Sequence, residues 1–170
     1  MACSQVLNGI GVDCSNSMGG IRKAWIATYP ESGTPYTITS GVVTSLNSDL
    51  EWHSFNFKKN TGSMTSTLNV DPANGVNYVS TEVVLQFNRM ETEKRIAIAA
   101  LALSDVVVVV EDSNGERFAL GASEPVNTTA GTGQTGTAKT DGNYYQITLT
   151  DEHDEFPPML SDSVTITPVD

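Results

Sequence analysis

The chain has 170 residues, and charged residues make up 17% of them, below the quarter that is usual for globular proteins. Its formal net charge is −11 and its pI is about 4.4. The length fits one domain with a substantial core, while the acidic balance argues against binding nucleic acid through its phosphates, which requires a basic patch. A channel through which nucleic acid passes remains compatible, because like charges repel and prevent adhesion.

The first twenty residues have weak periodicity and several glycine turns, which predicts an extended N-terminal segment. They lack the basic and continuous apolar stretches of a signal peptide, and no apolar run approaches the roughly 18–20 residues that span a bilayer. The sequence therefore predicts a soluble protein that is made in the cytoplasm. Cys3 and Cys14 are too few for a disulfide scaffold, so free thiols are the favoured interpretation and a local disulfide is the alternative.

Alternating apolar residues predict that most of the chain is β-strand. Residues 21–28 form the first predicted strand, and its two partly apolar faces indicate a central position in a sheet. Shorter strands are predicted at 36–39 and 42–46, on either side of Gly41.

The segment 51–88 is predicted to be a long β-meander that serves as an arm. Its turns are the sequence KKNTG at 58–62 and DPANG at 71–75, in which proline fixes φ and Asn-Gly tolerates positive φ. Its outward face is rich in Thr, Ser and Asn and carries few charges, so we expect a partner subunit to cover it. The three predicted strands are 51–58, 63–70 and 77–88.

One helix is predicted at about 90–103. Asn88 and Glu91 have the spacing of a capping box, and acidic residues suit the positive N-terminus of a helix. The C-terminal half of this helix is apolar on all sides, which predicts burial on more than one side. A fully buried valine strand at 106–110 and a hairpin to 116–120 should follow.

The rest of the chain is predicted to hold a Thr/Gly-rich loop or flat strand at 127–142 and an alternating strand at 144–150. An acidic loop at 151–158 and a short strand at 164–167 complete it. Together these elements predict a single, mainly β domain over residues 1–170. Its fold should be a β-sandwich or barrel with one α-helix and an extended β-hairpin arm.

Few residues of the sequence suggest catalysis or the binding of a ligand. His153 lies among carboxylates, but consecutive residues of an extended loop point in different directions, so a solvated loop is favoured over a metal site. The run 131–136 lacks the lysine and the following helix of a phosphate-binding loop. We therefore expect no catalytic residue, no cofactor and no metal. Four aromatic residues offer a sugar-binding platform, although packing within strands is the favoured role: Trp25, Trp52, Tyr144 and Tyr145.

Two blocks of the sequence resemble virion proteins. The start, with CSQVLNGI at 3–10, DC at 13–14 and GGIRKAWI at 19–26, resembles the openings of structural proteins of phages that infect Bacteroides-type bacteria. The block 101–121 resembles the helix–strand–turn–strand unit of phage tail tube proteins, with the hairpin sequences DSNG and FALG after a valine strand. The Gly/Thr-rich stretch that leads to 144–150 is also similar to the closing strands of that family.

This resemblance implies a β-sandwich with one helix that assembles into rings, typically hexameric, which stack into a tube. In that family a long β-hairpin reaches a neighbouring ring, and inner strands close a continuous lumen. The corresponding segment here is the meander 51–88. Its tips supply the candidate subunit-contact residues, which are Lys58, Lys59, Asn60, Asp71, Pro72, Ala73 and Asn74.

The resulting hypothesis is a phage tail tube protein, a virion component that acts by self-assembly rather than catalysis. Its partners would be copies of itself and other virion proteins, with DNA only a passenger in the lumen and no membrane involved. One alternative is a capsid decoration or head–tail connector protein, which would also be acidic and rich in β-structure. The other is a carbohydrate-binding β-sandwich module, which requires an exposed aromatic platform and an export signal.

Overall fold

The structure is a computed structural model that describes residues 10–11 and 14–169. Within these ranges the chain is mainly β-structure, in two sheets with one helix, and this confirms the predicted fold class. The elements are β1 (Ile21–Thr28), β2 (Tyr36–Thr39), β3 (Val42–Leu46), β4 (His53–Phe55), β5 (Ser63–Asp71), β6 (Val76–Asn88), α1 (Thr92–Ala102), β7 (Val106–Asp112), β8 (Arg117–Leu120), β9 (Asn127–Gln134), β10 (Tyr144–His153) and β11 (Met159–Leu160).

The larger sheet has seven strands in the order β2-β3-β11-β8-β7-β1-β4, and the smaller has four in the order β5-β6-β10-β9. All pairs are antiparallel except β11 with β3. The strands β1, β2 and β3 have the predicted bounds. The Thr/Gly-rich stretch forms strand β9 and then a loop, and β10 continues to His153, three residues into the predicted acidic loop.

The main core lies between the two sheets. Because side chains alternate along a strand, β7 directs Val106, Val108 and Val110 to this layer. The smaller sheet supplies the opposite wall through β6 and β10, and α1 closes one side with Leu101. The wall residues of the smaller sheet are Val83, Leu85, Phe87, Ile147 and Leu149.

A second core covers the other face of the larger sheet. Val107 and Val109 are completely buried there, which confirms the prediction that β7 is buried on both sides. Tyr36 stacks on Trp52 with 6.5 Å between ring centroids, and its hydroxyl donates to the Leu120 carbonyl at 2.9 Å. The phenol therefore keeps a partner inside an apolar layer.

Helix α1 has nearly the predicted extent, but the predicted capping box is wrong. The N-cap is Glu91, and its side chain makes no capping hydrogen bond. Arg89 has φ of 65°, so the chain turns sharply directly after β6. Asn143 holds this turn, because its carbonyl accepts the Arg89 N–H at 2.7 Å and its Oδ1 accepts the Met90 N–H at 2.9 Å. Asn88 is consequently still in the strand.

The prediction that the helix is buried on more than one side is also wrong within this chain. Leu101 is its one buried residue, whereas Ile96 is 58% exposed and the following Leu103 is 92% exposed. The reason is position, because α1 lies at the side of the sandwich next to β4 and β9 and packs through one face. The remaining apolar side faces outward.

The three-strand meander predicted for 51–88 is wrong in its first strand. β4 pairs with β1 in the larger sheet, while β5 and β6 form a hairpin in the smaller one. Phe55 and Phe57 pack into the core between the sheets, so the segment 58–62 crosses from one sheet to the other. Gly62 is required at this crossing, because a Cβ there would lie 2.7 Å from the Phe57 ring.

The strand predicted at 164–167 is absent, and the C-terminal segment is irregular instead. Arg117 explains this difference, because its guanidinium donates to the Val164 carbonyl at 2.6 Å and to the Ser161 carbonyl at 2.9 Å. One side chain thus satisfies carbonyls that a neighbouring strand would otherwise pair. Val164 is held against the second core by this contact.

Replacing Arg117 should therefore loosen the C-terminal segment. We expect Arg117→Ala to lower the free energy of unfolding by roughly 1–3 kcal/mol, because two charge-assisted hydrogen bonds are lost. Chemical denaturation measures the change. Arg95→Ala, which removes an exposed guanidinium from α1, is the control and should change stability by less than about 0.5 kcal/mol. Equal effects of the two variants would contradict this role.

Candidate functional site

The smaller sheet leaves two long edges without partners. Among the described residues, β5 pairs with β6 alone and β9 pairs with β10 alone. The nine residues of β5 carry no charge before Asp71 and pair without a register shift, and β9 carries no charge at all. Monomeric proteins usually guard such edges with charges, proline or bulges. The β5 edge has none of these guards before Asp71, whereas β9 carries one bulge opposite Thr148 and Leu149. The sheet therefore has one unguarded and one weakly guarded edge, on opposite sides.

The outer face of this sheet is polar and free of basic residues. None of its four strands contains Lys or Arg. Hydroxyl and amide side chains dominate the face, and the Thr129 and Thr150 hydroxyls lie 2.9 Å apart across β9 and β10. Glu82 and Glu152 are the exposed acidic residues in the middle and at one end of it. Such a face repels phosphates weakly and offers no cationic side chain to neutralise them.

The β5–β6 hairpin extends beyond the sandwich as an arm, here defined as residues 68–78. The last β10 pair is His153 with Val79, so the hairpin continues without a third strand. The pattern of exposure is unusual, because apolar residues are exposed on both faces of the arm. Leu68 and Val70 are 49% and 57% exposed on one face, and Val76 and Tyr78 are 47% and 40% exposed on the other.

The tip of the arm is a well-defined turn. The N–H groups of Ala73 and Asn74 donate to Asp71 Oδ1, and the Asn74 amide donates to Asp71 Oδ2 at 2.6 Å. The bond from the Asn74 side chain, followed by the backbone bonds, lowers the pKa of Asp71 below its ordinary value. Gly75 then turns the chain with φ of 65°.

The structure separates the two groups of predicted subunit-contact residues. Asp71, Pro72, Ala73 and Asn74 are exposed at the arm tip. The other group is exposed too, but it lies in the crossing segment before β5, so the nine-residue strand, roughly 30 Å long, separates the two groups. That second group is Lys58, Lys59 and Asn60. Whether either group contacts another subunit stays a prediction.

A groove beside α1 is a feature that the sequence analysis missed. It has a volume of about 510 Å³ and runs between α1 and the edge strand β4. Phe55 and Ala97 continue it into a smaller cavity of about 170 Å³ that reaches Leu101. The small residues Ala97 and Ala100, three positions apart, keep the groove open and are the signal that could have indicated it. The larger cavity is lined by Ser54, Phe55, Asn56, Phe87, Glu93, Lys94, Ala97 and Ile98.

Asp151 is a buried carboxylate beneath the outer face of the sheet. Its side chain accepts the Gly121 N–H at 3.2 Å, and the residue is 5% exposed. Burial raises the pKa of Asp151 above the ordinary 3.8, and Glu124 and Glu152 raise it further, while the Gly121 bond and His153 oppose the rise. Burial is the largest cause, so the ionised form is the less favoured one in the fold.

The other residues considered for metal or sugar binding do not come together in one site. The His153 imidazole accepts the Glu155 N–H at 3.2 Å, and no group of three metal-ligating side chains occurs within the described ranges. Trp52 is buried in the second core and Trp25 packs against it, whereas Tyr144 and Tyr145 belong to the smaller sheet. The four aromatic residues therefore do not form one platform.

Cys14 is an exposed free cysteine, while Cys3, most of the predicted N-terminal segment before it and residues 12–13 lie outside the described part of the chain. Of the helices that the structure describes, none has the length and apolar character needed to cross a membrane. Comparisons of the chain with protein-family models, curated proteins and solved structures find no match.

The position of Asp151 predicts a pH-dependent contribution to stability. The pKa of Asp151 is higher in the folded protein than in the unfolded chain. Its contribution to stability is therefore fully present below the pKa of the unfolded chain and is lost as the pH rises through the pKa of the folded protein. We therefore expect Asp151→Asn, which keeps an acceptor for Gly121, to be more stable than the parent at pH 7. The difference should shrink as the pH falls toward 4, because the parent carboxyl then takes up its proton.

Thermal denaturation across this pH range measures the difference. Asp154→Asn is the matched control, since it removes an exposed carboxylate from the same acidic stretch and should leave the pH dependence of stability nearly unchanged. An Asp151→Asn variant that is less stable than the parent at pH 7 would show that the carboxylate itself stabilises the fold.

Proposed function

We propose that this protein is a phage tail tube subunit, a virion structural protein whose copies join into rings that stack into a tube. The observation that carries the proposal is a pair of long edges on opposite sides of the smaller sheet, which have no partner among the described residues and carry no charge before Asp71. The resemblance of block 101–121 to tail tube proteins supports the same conclusion. The protein acts by assembly and not by catalysis.

The position of the two edges supports ring formation. An edge on each side of one sheet allows β5 of one copy to pair with β9 of the next, and each such contact leaves another edge free. Contacts of this head-to-tail kind close into a ring when the rotation between copies is a fraction of a full turn. Six copies are expected from the resemblance. The joined sheets then form a continuous wall without free edges.

The chemistry of the outer face supports its use as the lining of the channel. The four strands contain no Lys or Arg, and the chain has a net charge of −11. Double-stranded DNA adheres to proteins mainly through phosphate contacts with basic residues, so this wall lets DNA move. DNA is thus a passenger, and the lasting partners are other copies and other virion proteins assembled in the host cytoplasm.

Among the alternatives, a capsid decoration or connector protein has one observation in its favour. The outward apolar side of α1, with Ile96 and Leu103, suits docking onto a preformed surface. The carbohydrate-binding alternative is weakened, because Trp52 is buried and the four aromatic residues lie in two different sheets.

Electron microscopy of the purified protein over a concentration series tests the proposal. We expect rings or tubes with a central channel, and we expect Thr65→Lys/Thr67→Lys to prevent them, because charges on an edge strand block pairing. Both threonines are exposed on β5, so the fold should persist.

Thr165→Lys/Thr167→Lys adds the same charges at exposed positions of the C-terminal segment and is the matched control. It should assemble as the parent does. A parent protein that remains monomeric at high concentration would contradict the proposal, and binding to preformed capsids would favour the decoration or connector alternative.

The arm has a separate expected role in assembly. Met64 packs against the main core, so the arm can be shortened only beyond it. Joining Leu68 to Val79 through an Asn-Gly turn removes 69–78. It keeps Val79, the buried residue of β6 nearest the arm, and should leave the sandwich folded. We expect this variant to form rings that no longer stack, as observed by electron microscopy. Full-length tubes would contradict a stacking role, and loss of the fold by circular dichroism would assign the arm to the core.

A further inference from the structure

The charges of this acidic chain are separated along the smaller sheet. At one end, where Asn88 pairs with Tyr144, lie the entry to β5, the start of α1 and the β9–β10 loop. We call this the basic end. Its basic residues are Lys58, Lys59, Arg89, Lys94, Arg95 and Lys139, and its acidic residues are Glu91, Glu93 and Asp141.

Much of the acidic charge at the basic end is already engaged. Glu91 pairs with Arg89 at 3.2 Å and with Lys94 at 3.1 Å. Asp141 accepts N–H groups of its own loop at 2.8 Å. The exposed Lys58, Lys59, Arg95 and Lys139 form no ion pair with any described residue. This end therefore carries a net positive charge in a strongly negative protein.

The opposite end, where His153 pairs with Val79, is acidic. Glu152, Asp154 and Glu155 are exposed there, and Glu124 shares a polar cavity of about 240 Å³ with Glu152. Apart from Lys139 at the basic end, no lysine or arginine follows Arg117 in the sequence. The arm leaves the sandwich at this acidic end.

The two ends also differ in apolar shape. The acidic end projects Leu68 and Val70 from one face of the arm. The basic end contains the open groove beside α1, with Phe55, Phe87 and Ile98 in its lining. Apolar side chains that are exposed and a groove that has room for them thus lie at opposite ends of the same sheet.

Neither pair of complementary surfaces can meet within one molecule. Phe87 and Val76 are eleven residues apart on the continuous strand β6, which corresponds to roughly 36 Å at about 3.3 Å per residue. The strand is paired along its whole length and cannot fold back. Complementarity between separated ends of one chain is satisfied by a second copy in a head-to-tail contact.

We propose that the arm of one copy docks into the groove between α1 and β4 of the next copy, with the acidic end of the first against the basic end of the second. Leu68 and Val70 occupy the groove, and the carboxylates around Glu152 meet the lysines and arginine around it. This docking contact rests on the proposed function in one respect, which is that the partner is a second copy of the chain. It adds to that function the surface into which the arm docks and a dependence of stacking on charge.

A nucleic acid is the less suitable occupant of the basic end. The groove is lined by aromatic and aliphatic carbon from Phe55, Phe87, Ala97 and Ile98, and it lies at the basic end. An apolar arm that leaves the sandwich at an acidic end matches both features, whereas a phosphate backbone matches only the charge.

A charge-exchange experiment tests the contact. The first variant, Lys58→Glu/Lys59→Glu/Arg95→Glu, makes both ends acidic, and the second, Glu152→Lys/Asp154→Lys/Glu155→Lys, makes both ends basic. All six side chains are exposed. We expect each variant alone to need about tenfold more protein to stack and an equal mixture to recover to within about threefold of the parent, since repulsion becomes attraction only in the mixture.

The control reverses three exposed acidic residues that belong to neither group, Glu31→Lys/Asp49→Lys/Asp162→Lys, and should stack as the parent does. Sedimentation at about 50 mM and about 500 mM salt measures stacking, and the higher salt should weaken it by screening. Variants that stack like the parent, or a mixture that does not recover, would overturn the inference. Binding of duplex DNA by the parent that the first variant loses would assign the basic end to nucleic acid.

Disulfide trapping separates this inference from the proposed function. With Cys3 and Cys14 changed to Ser, copies carrying Val70→Cys should cross-link to copies carrying Ala97→Cys, and neither should cross-link alone. A cross-link without rings would retain the contact and refute the tube. Rings or tubes without the cross-link and without a charge effect would retain the tube and refute the contact.

Discussion

Strand β7 is buried on both of its faces, and the other elements are arranged around it. Val106 to Val110 are all buried, with even positions toward the smaller sheet and odd positions toward the second core. A strand of this kind needs an apolar layer on each side, because every exposed valine would forgo roughly 1.5–3 kcal/mol of burial. The smaller sheet supplies one layer. Tyr36, Trp52 and the C-terminal segment supply the other.

Because the second core covers only the larger sheet, the smaller sheet has only one face in a core. The larger sheet is covered on both sides around β7, while the outer face of the smaller sheet and the arm lie outside both cores. An outer face of Ser, Thr, Asn and Gln without Lys or Arg is free to serve another purpose. Exposed apolar residues on the arm and on α1 are consistent with surfaces that are covered in an assembly.

Strands with a clear local pattern could be predicted from the sequence, and so could the extent of the helix. Alternation identified β1, β5 and β6 closely, and the run of valines identified a buried strand, because these patterns depend only on which side chains avoid water. The arm turn followed from Pro, Asn and Gly at fixed positions. Short or irregular elements could not be predicted in this way. The two residues of β11 are too few to show a periodic pattern. The position of Val164 depends on a hydrogen bond from Arg117, which is far away in the sequence.

Local composition alone indicates the mainly β class, the helix, the absence of basic residues from four strands and the lack of charge in β9 and in β5 before Asp71. The tertiary structure fixed which strands share a sheet, because pairing depends on contacts between distant segments. It placed β4 and β5 in different sheets, left α1 half uncovered and set the groove and the arm at opposite ends of β6. It also brought Lys58, Arg95 and Lys139, which are far apart in sequence, to the same end of the smaller sheet, since the fold and not chain order fixes where a charge lies.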